Sequence, residues 1–216
     1  MSILIFANGE LDPAGWAQVH LDTATAIIAA DGGVHHVLAL GRMPDVVIGD
    51  FDSIASSTRS ELQMAAVEFV VYPRDKDASD LELALRYAAT NYHEEILILG
   101  SLGGRLDQML ANVLLLTDPF LQGKEVRIVE AHQQAWVVGE GEGHIRGRRG
   151  DFVSLLPLRG DAFVKRTVGL QWELTNERLE FGRSRGVSNV MTADSALFEV
   201  KSGKVLCIHT DKKWRR

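Results

Sequence analysis

The chain has 216 residues, 46% hydrophobic and 24% charged, with a net charge of −6. That is a globular composition, long enough for one large domain or two small ones. The apolar runs are far too short to span a membrane, residues 1–6 lack the basic start of a signal peptide, and the lone Cys207 excludes an internal disulfide, so the cytoplasm is expected.

Charge is uneven along the chain. Residues 1–120 hold 17 acidic against 6 basic side chains, and residues 121–216 hold 12 against 17. The basic residues lack the interleaved aromatics of a nucleic-acid surface, which leaves no nucleic acid among the expected partners.

Residues 3–7 read as a buried strand ended by the turn Asn8-Gly9. Further strands are expected over 26–30, 46–49, 67–72 and 96–100, each a short apolar run stopped by Gly, Pro or Asp. Between them, residues 34–40, 58–66 and 79–89 have helical spacing. In the last of these, Leu81, Leu83, Ala84, Leu85 and Ala88 form the apolar stripe, Ser79 is the expected N-cap, and Asp80 and Glu82 favour the first turn. Residues 106–116 read as one more helix, expected to be buried. Strand alternating with helix predicts a parallel sheet covered by helices.

After a strand at 126–129 the period changes. Short runs at 135–138, 144–146, 152–156, 163–168, 171–174, 197–200 and 205–209 alternate and are punctuated by glycine, with hairpins expected at 139–143 and 201–204. Such spacing predicts a small antiparallel β-sandwich or barrel. The expected division is an α/β domain over 1–131 and an all-β domain over 132–216.

The chemistry-bearing residues cluster at the predicted strand ends. Gly49-Asp50-Phe51-Asp52-Ser53 puts two carboxylates one residue apart where a strand opens into a loop, a donor set that suits a divalent cation bridging to phosphate. An ordinary Asp turn is the competing reading for that motif alone. Asp31-Gly32-Gly33 ends another strand. Arg74-Asp75-Lys76-Asp77-Ala78-Ser79-Asp80 packs carboxylates before a helix, and Gly100-Ser101-Leu102-Gly103-Gly104-Arg105 offers amides and an arginine to a phosphate. Parallel α/β sheets bind ligands beyond the carboxyl ends of their strands, so these clusters are expected to build one site. His35 and His36 show no zinc spacing. Trp172 is ambiguous: a tryptophan on an alternating strand is usually core, and the alternative is a platform for a flat ligand.

Together, Ala30-Asp31-Gly32-Gly33, the segment 44–53, Asp75-Lys76-Asp77-Ala78-Ser79-Asp80 and Gly103-Gly104-Arg105-Leu106-Asp107-Gln108-Met109-Leu110-Ala111-Asn112 resemble the thiamine pyrophosphokinase family. Gly169-Leu170-Gln171-Trp172-Glu173-Leu174 and Val187-Ser188-Asn189 resemble that family's later motifs. The resemblance implies a Rossmann-like parallel α/β domain followed by a β-sandwich, and a homodimer. It implies transfer of diphosphate from ATP to thiamine, with Mg²⁺, giving thiamine diphosphate and AMP.

It also implies residue roles. Asp50, Asp52 and Asp80 would be metal ligands, with Asp31 and Asp77 in the catalytic cleft. Asn8, Asp31, Gly103, Gly104, Arg105 and Asp107 would lie on the ATP side, and Lys76, Trp172, Ser188 and Asn189 near thiamine. Two positions depart from the pattern: Lys76 stands where some members have glutamine, and Gln108 where many bacterial relatives have histidine. The rival readings are a pterin diphosphokinase, a phosphatase using Asp50 as nucleophile, and a non-catalytic nucleotide or thiamine sensor.

Overall fold

Ile3, Leu4, Ile5 and Phe6 have no exposed surface at all. A strand apolar at every position needs cover on both faces, which only the centre of a parallel sheet provides. In the computed structural model, which describes residues 1–12 and 15–215, this is the central strand β1 (Ser2–Phe6). The chain divides into two compact units, Met1–Ala131 and His132–Arg216.

The first unit continues through β2 (Ala24–Ala30), β3 (Val46–Gly49), β4 (Glu68–Val71), β5 (Glu95–Leu99) and β6 (Val126–Val129). All six strands are parallel, in the order β6-β5-β1-β2-β3-β4. The helices are α1 (Gln18–Leu21), α2 (Val34–Ala39), α3 (Ser56–Met64), α4 (Asp80–Asn91) and α5 (Leu106–Leu115). The chain builds outward from β1 to β4 and then returns to β1's other edge as β5. The loops after β1 and β5 therefore part at a topological switch point, the usual ligand crevice of such sheets.

Helix α4 sets the depth of that crevice. Leu81, Ala84, Leu85, Ala88 and Ala89 are its buried face, and it packs over β1, β2 and β3. Each buried Leu contributes about 2 kcal/mol. The Ser79 hydroxyl caps the helix by accepting the Glu82 amide at 3.2 Å, which fixes Asp80 in the first turn at the strands' carboxyl ends.

Helix α5 departs from expectation. Its stripe Leu106, Leu110 and Leu114 is exposed, and Asn112 is its buried residue. The apolar periodicity is real, but the face it marks points away from the core.

The second unit holds β7 (Gln133–Val138), β8 (Gly141–Arg146), β9 (Phe152–Val168), β10 (Thr175–Leu179), β11 (Asn189–Val190) and β12 (Ser195–Thr210). Its two longest strands are bent. Residues 205–210 of β12 pair with β7 and with the start of β9, while residues 195–200 pair with β8 and with the end of β9. The sheet thus folds over on itself around a core that includes Trp136, Val164, Phe198 and Cys207.

Two expected hairpins are corrected by this bend. Residues 201–204 lie inside β12, where the pairing register shifts between Val200 and Lys204. Gly203 adopts φ +86, and a Cβ there would meet the Asp161 carbonyl oxygen at 2.5 Å, so the corner needs glycine. At 139–143 there is likewise no hairpin, because β7 and β8 run end to end along β12. Residues 171–174 form a turn rather than a strand, with the Leu174 amide held by the Thr167 hydroxyl at 2.9 Å. The strand follows at β10. No helix among the described residues is long and apolar enough to cross a membrane.

Candidate active site

A cavity of about 860 Å³ opens at the switch point, lined from the ends of β1, β2, β3 and β5 and from the start of α4. Asn8, Asp31, Asp50, Asp52, Lys76, Asp80, Gly103, Gly104 and Arg105 all border it. Asp75, Asp77 and Asp107 do not. Asp77 is an exposed loop residue, and Asp107 pairs with the Arg105 guanidinium, 3.1 Å from Nε and 2.5 Å from Nη2.

Local backbone geometry explains how both carboxylates of the Asp50-Phe51-Asp52 motif reach one space. Phe51 is in the left-handed region at φ +64, with its ring buried against Phe69 and covered by the Arg59 guanidinium at 5.1 Å. The buried ring anchors a tight turn in which the Asp52 amide donates to Asp50 Oδ1 at 3.1 Å. Asp31 is also left-handed, at φ +42. Such strain in non-glycine residues persists where surrounding packing imposes it.

Carboxylate oxygens of Asp31, Asp50 and Asp52 come within 4.8 Å of one another. Asp31 is buried, and its Oδ1 has no hydrogen-bond partner. Asp80 joins from α4. Gly49 leaves room for this approach: a Cβ there would lie 2.9 Å from the Asp31 Cβ and 3.1 Å from Asp80 Oδ1. Hard oxygen donors converging on a space, one of them buried and unpartnered, fit a divalent cation. The sequence motifs grouped Asp80 with Asp50 and Asp52, whereas the tightest trio contains Asp31.

Two basic residues already face these carboxylates. Lys76 Nζ lies 3.5 Å from Asp50 Oδ2 and 2.9 Å from Asp80 Oδ1. The latter is within reach of charge attraction but out of line for a hydrogen bond. Arg74 lies 3.3 Å from Asp52 Oδ2 at the exposed rim. The Asp52 amide, helped by Lys76, holds the Asp50 carboxyl below its ordinary range. Burial pushes Asp80 up, with Asp31 and Asp50 adding to the shift and Lys76 opposing it. Lys76 itself is raised: burial lowers it, and its two carboxylate partners outweigh burial.

The glycine loop on the opposite wall is pinned by residues whose role no motif announces. Gly9 and Glu10 amides donate to the Gly100 and Leu102 carbonyls at 2.7 and 2.8 Å. Glu10 accepts the Gly104 amide at 3.2 Å, and buried Asn112 donates to the Ser101 carbonyl at 2.7 Å. His36 Nε2 is 2.9 Å from the Gly9 carbonyl, which makes it a positioning residue rather than a ligand. Glu130, at the end of β6, has its carboxyl pushed up to about 7 by burial, although Leu102 and Ser101 amides bond to it. Gly9 and Asn112 belong to sequence motifs, whereas Glu10, His36 and Glu130 act through contacts distant in sequence.

In the second unit, Trp172, Ser188 and Asn189 border a hollow of about 350 Å³ together with Leu174, Arg185 and Val187. Trp172 is 53% exposed, which removes the core reading. Asn189 is buried and clamps the tryptophan backbone, accepting its amide at 3.0 Å and donating to its carbonyl at 2.6 Å. Ser188 is left-handed at φ +60.

Comparison with known proteins agrees with this architecture. Residues 17–129 match the family model described as thiamin pyrophosphokinase, catalytic domain, and residues 143–205 match that described as thiamin pyrophosphokinase, vitamin B1 binding domain. A thiamine pyrophosphokinase of Bacillus subtilis is 28% identical over 192 residues, 88% of this chain and 90% of that protein. The crystal structure of the Bacillus subtilis thiamine pyrophosphokinase superposes with a TM-score of 0.86 at 27% identity, covering 98% of this chain and all of that one. The structure of the enzyme from Geobacillus thermodenitrificans gives 0.84 at 26% identity, with 98% of each chain covered. The first family model alone takes in more than half of the residues, and the likeness runs through both units, so the chain belongs to the thiamine pyrophosphokinase family of enzymes.

Proposed function

We propose that the switch-point cleft binds ATP with Mg²⁺ and transfers the terminal diphosphate to the hydroxyethyl oxygen of thiamine, giving thiamine diphosphate and AMP. The observation that carries this reading is the unpartnered, buried Asp31 oxygen among the carboxylates of Asp50 and Asp52, facing the glycine loop across one cavity. Asp50, Asp52 and Asp80, with Asp31 beside them, would hold the metal. Bound there, Mg²⁺ would offset charge on the phosphate chain and polarise its oxygens.

The remaining work falls to side chains and backbone. The Gly103 amide and the Arg105 guanidinium, held by Asp107, would seat the phosphates, with Asn8 beside them and Gly104, its amide tied to Glu10, shaping the loop. Trp172 would stack on a thiamine ring over the hollow bordered by Ser188 and Asn189. In the transfer, the thiamine oxygen forms a bond to the β-phosphorus, the bond from that phosphorus to the α-phosphate oxygen breaks, and AMP leaves. The hydroxyl proton would pass to a carboxylate bordering the cavity, which excludes the exposed Asp77 expected from the sequence. Positioning supplies most of the rate. The protein would act in the cytoplasm as a homodimer, and the exposed leucine stripe of α5 supports the self-association.

Incubation with ATP, thiamine and Mg²⁺ should yield AMP and thiamine diphosphate in equal amounts, whereas a pterin acceptor should give none. Asp52→Asn keeps the shape and removes a charge, so turnover should fall by about two orders of magnitude or more with the fold intact. Near-normal turnover by folded Asp52→Asn at limiting Mg²⁺ would remove the metal role.

A further inference from the structure

Lys76 is an anomaly among the carboxylates proposed to hold a metal. Its side chain is only 13% exposed, and its ammonium lies between Asp50 and Asp80. Arg74, also beside the acidic cluster, is 84% exposed on its side chain and forms its ion pair with Asp52. An exposed pair is screened and mobile, whereas a partly buried ammonium holds its position. The two halves of the acidic cluster therefore differ: Asp50 and Asp80 share a tethered cation within 3.5 Å, while buried Asp31 has no ion pair among those found in the described residues and its Oδ1 no hydrogen-bond partner.

Metal and ammonium compete for the same oxygens. A divalent ion placed between Asp50 and Asp80 would meet a unit positive charge a few ångströms away, a repulsion that is large in a partly buried site. The lysine stem is flexible and the cavity is open beside it. We propose that Lys76 is a built-in competitor for the metal site: it neutralises Asp50 and Asp80 in the metal-free enzyme and must vacate them when a divalent cation binds. The released ammonium is then free to pair with a phosphate in the same cleft. The nucleotide-free enzyme binds bare metal weakly, and the metal arrives together with the anionic nucleotide that gives the ammonium a new partner. This inference rests on Asp50 and Asp80 being metal ligands.

The test is Mn²⁺ titration of the nucleotide-free full-length protein, with free Mn²⁺ followed by electron paramagnetic resonance. Lys76→Met keeps the stem and removes the charge, so Mn²⁺ should bind at least about tenfold more tightly than to the wild type. Lys76→Arg keeps the charge and should leave the affinity within about threefold of wild type. Unchanged or weaker binding to folded Lys76→Met overturns the proposal. If that variant does not fold, the wild type decides. Acetic anhydride labelling of Lys76, normalised to the other lysines, should rise on saturation with Mn²⁺, and an unchanged yield overturns the proposal.

Asp50→Asn separates the two readings. If it loses Mn²⁺ while Lys76→Met gains nothing, the lysine proposal alone fails. If Asp50→Asn and wild type bind Mn²⁺ equally, the metal assignment itself falls.

Discussion

Single side chains at the site divide by whether their role is local or tertiary. The one-residue spacing of Asp50 and Asp52 can be read from sequence, and both carboxylates line the cleft. That they turn to the same side depends on the left-handed Phe51 and its buried ring, which composition does not reveal. The spacing of Lys76 and Asp80 is that of a helix pair, but the contact with Asp50 crosses from a loop to another strand end. Trp172 was ambiguous because strand alternation marks core and ligand platform alike; its exposure decides against core. Trp172→Ala should consequently cost far less than the roughly 3–5 kcal/mol of a buried aromatic. It should raise the Michaelis constant for thiamine about tenfold and leave that for ATP unchanged, since stacking is lost only to the acceptor. Steady-state kinetics with each substrate varied, beside a melting curve, checks this. A large fall in melting temperature with normal thiamine affinity would count against the platform.

At the scale of elements, the α/β half could be read because its strands are short, fully apolar and each stopped by Gly, Pro or Asp. The β-rich half was harder. A glycine between two alternating runs looks the same whether it makes a hairpin or bends one long strand, and only the partner strand distinguishes them. The bent strands also have to be held at their ends. Asp151, buried just before β9, accepts the Arg148 and Lys212 amides at 2.7 and 3.1 Å and lies 2.9 Å from His209 Nε2 on β12. Burial alone would raise its carboxyl, but the His209 ring and the two amides outweigh burial and hold it below the ordinary range. A carboxyl depressed in the folded state stabilises above its unfolded value of about 4 and loses that contribution as pH falls through the folded value. Asp151→Asn should therefore lower stability at neutral pH by about 1–3 kcal/mol and flatten the loss seen in the wild type below about pH 4. Melts from pH 3 to 7 measure both, and an undiminished acid slope in the variant would place the titration elsewhere.

For the whole molecule, the exposed Leu106, Leu110 and Leu114 carry most weight. They follow one another at every fourth position, a ridge along α5, with Phe120 also exposed just beyond it. Contiguous exposed apolar patches mark contact surfaces, and a two-fold axis would let this ridge meet its own copy. A dimer formed through α5 predicts that Leu110→Glu shifts the protein to monomer in sedimentation equilibrium at micromolar concentration, with little loss of secondary structure because the residue is 55% exposed. A wild-type protein that sediments as a monomer would reject the dimer.

The pairing of β12 also has a consequence for the order in which the chain becomes structured. The sheet of the first unit is organised around the strand that is made first, β1, so each later strand can dock on something already present. The second unit is organised around the strand that is made last. Among the described residues β7, β8 and β9 have no pairing with one another; β9 pairs early with β10 and β11, but only β12 joins all three. Contacts such as Gln133 with Thr210 close long loops and add to contact order. During synthesis the first unit can grow outward from its seed, whereas in the second β9 can pair with β10 and β11 but is joined to β7 and β8 only when the final strand arrives.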